Sequence, residues 1–374
     1  MDNILFSTTL AFVITFFSIP VIIQVAKVKK LFDEPDERKV HKTVIPTLGG
    51  LGIFGGFIIA YLTCTPPNLA GQLQFFVAAF VVIFFLGLKD DILVISATKK
   101  FIGQLIAAGI VIKFGGIQIS NMGGLLGIYE IPNFAGTILT LFTIIVITNS
   151  FNLIDGVDGL AGSLGLLTTL IFGTYFYMIG ELAFSVMAFS LSGALISFLI
   201  YNFSPAKIFM GDTGSLLLGL INSILVIKFI NVAGTAPGQW ALESAPAIGF
   251  AILMIPLFDT LRVFGSRILD RRSPFSPDRN HVHHFMLDLG FNHKKITLTC
   301  IITNILFIAM AFFLRDLGTS AVIGILLFTS LSLISFIYYQ RKRIKQPFIE
   351  LEKEEQIIKS HKVFGLVPES VEAD

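Results

Sequence analysis

Acids, amides and imidazoles gather in four short stretches of this 374-residue chain. The first is Lys89-Asp90-Asp91, a pair of adjacent carboxylates at the end of an apolar run. Charges at a membrane boundary are costly unless solvated, paired or bound to a cation. The second stretch holds Asn149, Asn152, Asp155 and Asp158, with Gly156 and Gly159 permitting tight turns and close ligand approach. It lacks the spacing and terminal Glu of an EF-hand, and a structural turn is its plainer alternative. The third runs from Asn202 through Lys207, Phe209 and Gly211 to Asp212, Thr213, Gly214 and Ser215. A helix starting here would offer free N–H groups as a phosphate seat, with Asp212 holding a counter-cation. Alternatively, Asp212 only caps that helix. The fourth contains Asp278, Arg279, Asn280, His281, His283 and His284. Its imidazoles suit metal or anion binding; with no cysteine near and Arg279 adjacent, phosphate contact is favoured over zinc.

The elements that must position these groups are apolar. Hydrophobic residues make up 54% of the chain and charged residues 14%. The mean hydropathy is +0.82, which places the chain in the membrane class. β-barrel alternation is absent, so the expected fold is all-α, a polytopic transmembrane helical bundle. Eleven spans are expected, at about 3–26, 45–65, 70–89, 101–114, 134–151, 159–179, 182–201, 213–231, 245–264, 296–314 and 320–339. Residues 1–340 form the membrane domain in this reading, and 341–374 a polar cytoplasmic tail. Cys64 and Cys300 lie in apolar runs without metal spacing and read as packing residues. Met1-Asp2-Asn3 lacks a basic n-region, so no cleavable signal peptide is expected.

Charge gives a sidedness. All of the 27 Lys and Arg except Lys113, Lys228, Arg262 and Arg315 fall in the first loop, in alternate loops after it, or in the tail. The positive-inside rule then puts the N-terminus outside and the C-terminus in the cytoplasm. All four chemical stretches share that inner face. Together they supply hard oxygen ligands and cations, which suits Mg²⁺-assisted diphosphate chemistry with a membrane lipid; nothing suggests nucleic acid. A secondary transporter would carry its ionisable residues near the midplane, whereas these cluster at one edge. A lipid phosphatase using the His loop is a rival within enzymes.

Five segments in order resemble the polyprenyl-phosphate N-acetylhexosamine-1-phosphate transferase superfamily, glycosyltransferase family 4. They are Arg38-Lys39-Val40-His41-Lys42 with Pro46-Thr47 and Gly49-Gly50; Gly87 to Asp91; Asn149 to Gly159; Phe209 to Ser215; and His281 to His284. Val282 interrupts the three consecutive His of the MraY-like branch, so the chain is closer to the WecA/TagO-like branch. The further Asp that often follows the acidic pair is replaced by Ile92, Leu93 and Val94.

The resemblance implies transfer of N-acetylhexosamine 1-phosphate, chiefly GlcNAc-1-phosphate, from a UDP-sugar to undecaprenyl phosphate. UMP is released and a cell-envelope polysaccharide is begun. The alternative is an MraY-like phospho-MurNAc-pentapeptide transferase. Mg²⁺, or Mn²⁺ in its place, is implied as cofactor at Asp212 and Asn152. Asp90, Asp91, Lys100, Asp155, His283 and His284 are implied as catalytic, the first three facing the acceptor phosphate. Lys42, Thr47, Asp158, Phe209, Gly211, Asn202, Arg279 and His281 are implied to bind substrate. Phe209 and Asp158 are placed near the uracil, and Lys42 and Thr47 along the nucleotide. A bacterial inner-membrane location and a homodimer complete the expectation.

Overall fold

The computed structural model describes residues 2–29, 32–33, 45–66, 71, 73–271 and 281–364. Lys42 and Arg279, with the stretches around them, lie outside the described residues. The helices before the site's third loop are α1 (Asp2–Lys29), α2 (Gly49–Cys64), α3 (Leu73–Ile92), α4 (Ala97–Lys113), α5 (Asn133–Ile154), α6 (Leu160–Met178) and α7 (Leu182–Asn202). After it come α8 (Gly211–Ala233), α9 (Ala245–Ile252), α10 (Met254–Leu269), α11 (Val282–Asp288), α12 (His293–Phe313) and α13 (Thr319–Phe364). The described residues also form two small antiparallel pairs, β1 (Phe32–Asp33) with β2 (Ile45–Pro46) and β3 (Asn121–Leu125) with β4 (Ile128–Glu130).

Each of the eleven expected stretches contains a helix, and 245–264 contains parts of two. Among the described residues, seven helices are long and apolar enough to cross a membrane alone, and eight spans result if α9 and α10 count as one broken span. α2, at 16 residues, and α4, at 17, are shorter. α13 runs without a stop through the expected domain boundary at 340, its apolar part being Thr319–Arg343.

α8 is the core of the bundle, packed by α2, α3, α5 and α6. Backbones come close where side chains are missing, which is how helices gain contact in lipid. A Cβ on Gly50 would stand 2.2 Å from the Gly214 nitrogen, and one on Gly219 would stand 2.5 Å from Thr148 Cα. The first of these approaches locks the start of α2 against the start of α8.

The expected span 245–264 is not one helix. It turns by 86° between α9 and α10. Pro256 has no N–H to give the Ile252 carbonyl, so the ladder fails there. Asn304, fully buried on α12, repairs both exposed groups. Its Nδ2 donates to Ile252 O at 2.9 Å, and its Oδ1 accepts from Ile255 N at 3.1 Å. The break swings Asp259, Arg262 and Arg267 of α10 toward the four chemical loops. Arg262, expected among the exceptions to the charge asymmetry, therefore sits at the site end of the bundle.

The other end is knit by its own contacts. Ser120 N donates to Asn231 Oδ1, Tyr175 Oη to Trp240 O, and Ser244 Oγ to Arg315 O. Thr319 Oγ1 donates to Gly123 O across the same end.

Candidate active site

The start of α8 is set by two neighbours. Gly49 and Gly50 N–H groups donate to Phe209 O and Met210 O, each at 2.9 Å, and Phe209 N returns to Pro46 O at 2.8 Å. Gly211 then takes φ +70°, and a Cβ there would lie 2.2 Å from Thr47 O. The helix N–H groups expected to seat a phosphate are already used. Asp91 Oδ1 accepts from Asp212 N at 2.7 Å, and its Oδ2 accepts from Thr213 N at 3.0 Å and from the Thr213 hydroxyl. Asp91 thus caps α8 from the end of α3. Asp212, in the first turn, is left to point elsewhere.

It points at Lys100. The ammonium contacts Asp212 Oδ2, lies 3.1 Å from Asp90 Oδ2, and donates to Asn152 Oδ1 at 3.3 Å. Asn152 Nδ2 donates to Asp212 Oδ1 at 2.7 Å and to Ser215 Oγ at 3.0 Å. Asp90 Oδ1 accepts from Ile95 N at 2.9 Å, fixing the turn between α3 and α4. Behind them, Gln104 and Asn149 exchange amide hydrogen bonds and hold α4 to α5. Asp155 ends α5 beneath this group. Burial pushes its carboxyl well above the usual range, and the nearby Asp212 and Asp91 charges push it further. Asp90 and Asp212 thus share one ammonium, with Asp91 and Asp155 close by. Hard oxygens short of positive charge fit a divalent cation that shares its shell with phosphate and water. Asp212 and Asn152, with Asp90 beside them, are the residues that would hold it.

A cleft of about 500 Å³ opens over these groups. Asp90, Lys100, Asn152 and Asp155 line one wall, and Arg267, His281, His283 and His284 line another. His281 caps α11 and stacks on His283, with ring centres 5.7 Å apart and planes at 8°. Its Nδ1 lies 2.8 Å from Asp259 Oδ2. His283 is buried, and its Nδ1 has no partner among the described residues. Burial, followed by the neighbouring His284, pushes its pKa down to about 3, so the ring is neutral. His283 also lines an apolar cavity of about 180 Å³, shared with Met254, Phe258, Met286 and Phe307.

Some expected binding residues serve the scaffold. Asn202 Oδ1 accepts from Gly159 N and its Nδ2 donates to Ile208 O, joining two loops. Asp158 is buried between Ala206 N, which donates to its Oδ2 at 3.1 Å, and His293 Nδ1, 3.1 Å from its Oδ1. Neither lines the cleft. Thr47, Phe209 and Gly211 act through their backbones as described. Arg267, Gln104 and Asp259 were absent from the expected site. A single acid within an apolar run, as at Asp259, is the signal that marked the last of these.

A family model for glycosyl transferase family 4 matches residues 73–230, the part that carries every site acid but Asp259. The chain is 31% identical to the probable undecaprenyl-phosphate N-acetylglucosaminyl 1-phosphate transferase of Bacillus subtilis (strain 168) across 90% of this chain and 92% of that protein. The chain belongs to glycosyl transferase family 4. Among other family 4 relatives, the decaprenyl-phosphate N-acetylglucosaminephosphotransferase of Mycobacterium tuberculosis (strain ATCC 25618 / H37Rv) is 33% identical over 77% of this chain and 76% of its own. The undecaprenyl-phosphate alpha-N-acetylglucosaminyl 1-phosphate transferase of Escherichia coli O157:H7 is 29% identical over 73% of each. Both alignments are long enough to span the family 4 core around α8.

Proposed function

We propose that the chain transfers GlcNAc-1-phosphate from UDP-GlcNAc to a polyprenyl phosphate, with Mg²⁺ held by Asp212 and Asn152 beside the cleft. The observation that carries this is the meeting of Asp90, Lys100, Asn152, Asp155 and the His wall around one cleft that adjoins an apolar cavity. The names of the family 4 relatives supply the sugar and the lipid class. The bundle crosses the bacterial inner membrane eleven times in this reading, with the cleft facing the cytoplasm.

A phosphate oxygen of the acceptor attacks the sugar-bearing phosphorus, and the bond to the UMP oxygen breaks. One anhydride replaces another, so no outside energy source is needed. The barrier is the approach of two polyanions. Lys100 and Arg267 supply positive charge at the cleft, and the neutral His283 separates the phosphate region from the apolar cavity that receives the first part of the prenyl chain. A bound divalent cation would neutralise the diphosphate and stabilise charge on the leaving UMP. Asp90 orients Lys100 rather than removing a proton, since a phosphate monoester with a second pKa of about 6 is already mostly dianionic.

The test uses purified protein, polyprenyl phosphate and UDP-GlcNAc labelled in the distal phosphate. Label in the lipid together with UMP release is expected, and Mg²⁺ should be required. Release of UDP with an unlabelled lipid would overturn the reading.

A further inference from the structure

Asp259 and His281 are both buried, and the transfer chemistry above does not call on the acid. The carboxylate gathers three groups. Oδ2 meets His281 Nδ1 at 2.8 Å, while Oδ1 accepts from Val282 N at 3.1 Å and from Arg262 Nη2 at 2.9 Å. It therefore holds the ring of His281 and the first turn of α11 together, from a helix that reaches them only because of the 86° break. His281 is also part of the cleft wall. With Nδ1 turned to the carboxylate, Nε2 is the ring nitrogen left to meet a substrate.

We propose that Asp259 is the positioning residue for His281, holding its ring plane so that Nε2 serves as the substrate contact in the cleft. Asp259→Asn keeps the shape and can still accept from Val282 N. It removes the negative charge that His281 Nδ1 and Arg262 both face, so the ring loses its charge-assisted anchor while the surrounding shape is kept.

The inference rests on the transferase reading, and wild-type protein in the same assay separates the two. No lipid product from wild type would defeat that reading itself. With wild type active, Asp259→Asn is expected to lower kcat by roughly 10²-fold, with KM for UDP-GlcNAc within about threefold. The deciding measurement is the double variant. Asp259→Asn on a His281→Ala background should cost no more than about a further twofold, because the acid acts through the ring. Losses that multiply, or an Asp259→Asn enzyme with wild-type kcat, would overturn the inference. If Asp259→Asn does not accumulate in the membrane, Asp259→Glu replaces it; it keeps the carboxylate and shifts the ring, and its loss must likewise vanish on the His281→Ala background.

Discussion

Asp90 and Asp91 are adjacent, yet the end of α3 sends them to different tasks. Asp90 faces Lys100 in the cleft, whereas Asp91 closes the N-terminus of α8 with three hydrogen bonds. Asp91→Ala should therefore destabilise the protein by roughly 1–3 kcal/mol, the range for a lost cap that is also charge-assisted. Asp90→Ala should abolish transfer while leaving the thermal unfolding midpoint in detergent within a few degrees of wild type. Equal midpoints for the two variants would refute the division. His283 makes a second prediction. Its pKa falls from 6.5 to about 3 on folding, so below pH 6.5 the unfolded chain gains a proton that the folded ring refuses. Stability is fully present above 6.5 and is lost as pH falls, by up to ~1.4 kcal/mol per unit. The drop in unfolding midpoint between pH 7 and pH 5 should be smaller in His283→Gln than in wild type. An identical drop would show that the ring is accessible to protons in the folded state.

The helices were legible because apolar runs of span length leave the chain little choice in lipid. The break between α9 and α10 was not, although Pro256 is plain in the sequence. A proline shows where a ladder fails, but not that Asn304, some fifty residues on, accepts the consequences. That partnership exists only once α12 packs on α9. The same limit explains the site. The clusters at Asp90, Asn152, Asp212 and His283 were visible as unusual residue types, and they do meet. Asp259 and Arg267 were hidden because they sit in a run that reads as one span until it is bent. Asn202 and Asp158, expected as binding groups, tie buried loops together, a task that needs the same side chains as ligand sites do. Asn304→Leu, close in volume, should leave Ile252 O and Ile255 N unpaired in an apolar surround, at a cost of roughly 1–3 kcal/mol for each group. The expected result is a lower unfolding midpoint together with lost transfer, since α10 carries the support of the His wall. Retained activity at a lowered midpoint would mean that the break holds its angle without Asn304.

At the scale of the whole molecule, the bundle has two unlike ends. One gathers the loops between α3 and α4, α5 and α6, and α7 and α8, with α10 and α11 beside them. The other joins the β3–β4 hairpin to the ends of α8 and α12 and the start of α13. Lys113, Lys228 and Arg315 belong to that second end, and Lys228 is paired with Glu181 at 2.8 Å. The cations at the cleft end far outnumber these, and positive loops are retained in the cytoplasm. A charged nucleotide sugar also needs an aqueous route to the cleft, which must open to the compartment that holds the donor. Both arguments predict one orientation. In a variant with Cys64 and Cys300 replaced, Lys99→Cys and Lys294→Cys should react with a membrane-impermeant maleimide only in inverted vesicles. Gln239→Cys and Tyr129→Cys, exposed at the far end, should react only in right-side-out cells. Reversal of all four positions would keep the site intact and move it outside, away from the nucleotide. Labelling of Lys99→Cys and Lys294→Cys from opposite sides would be more damaging, because His293, beside Lys294, is held to Asp158 at the same end of the bundle as Lys100.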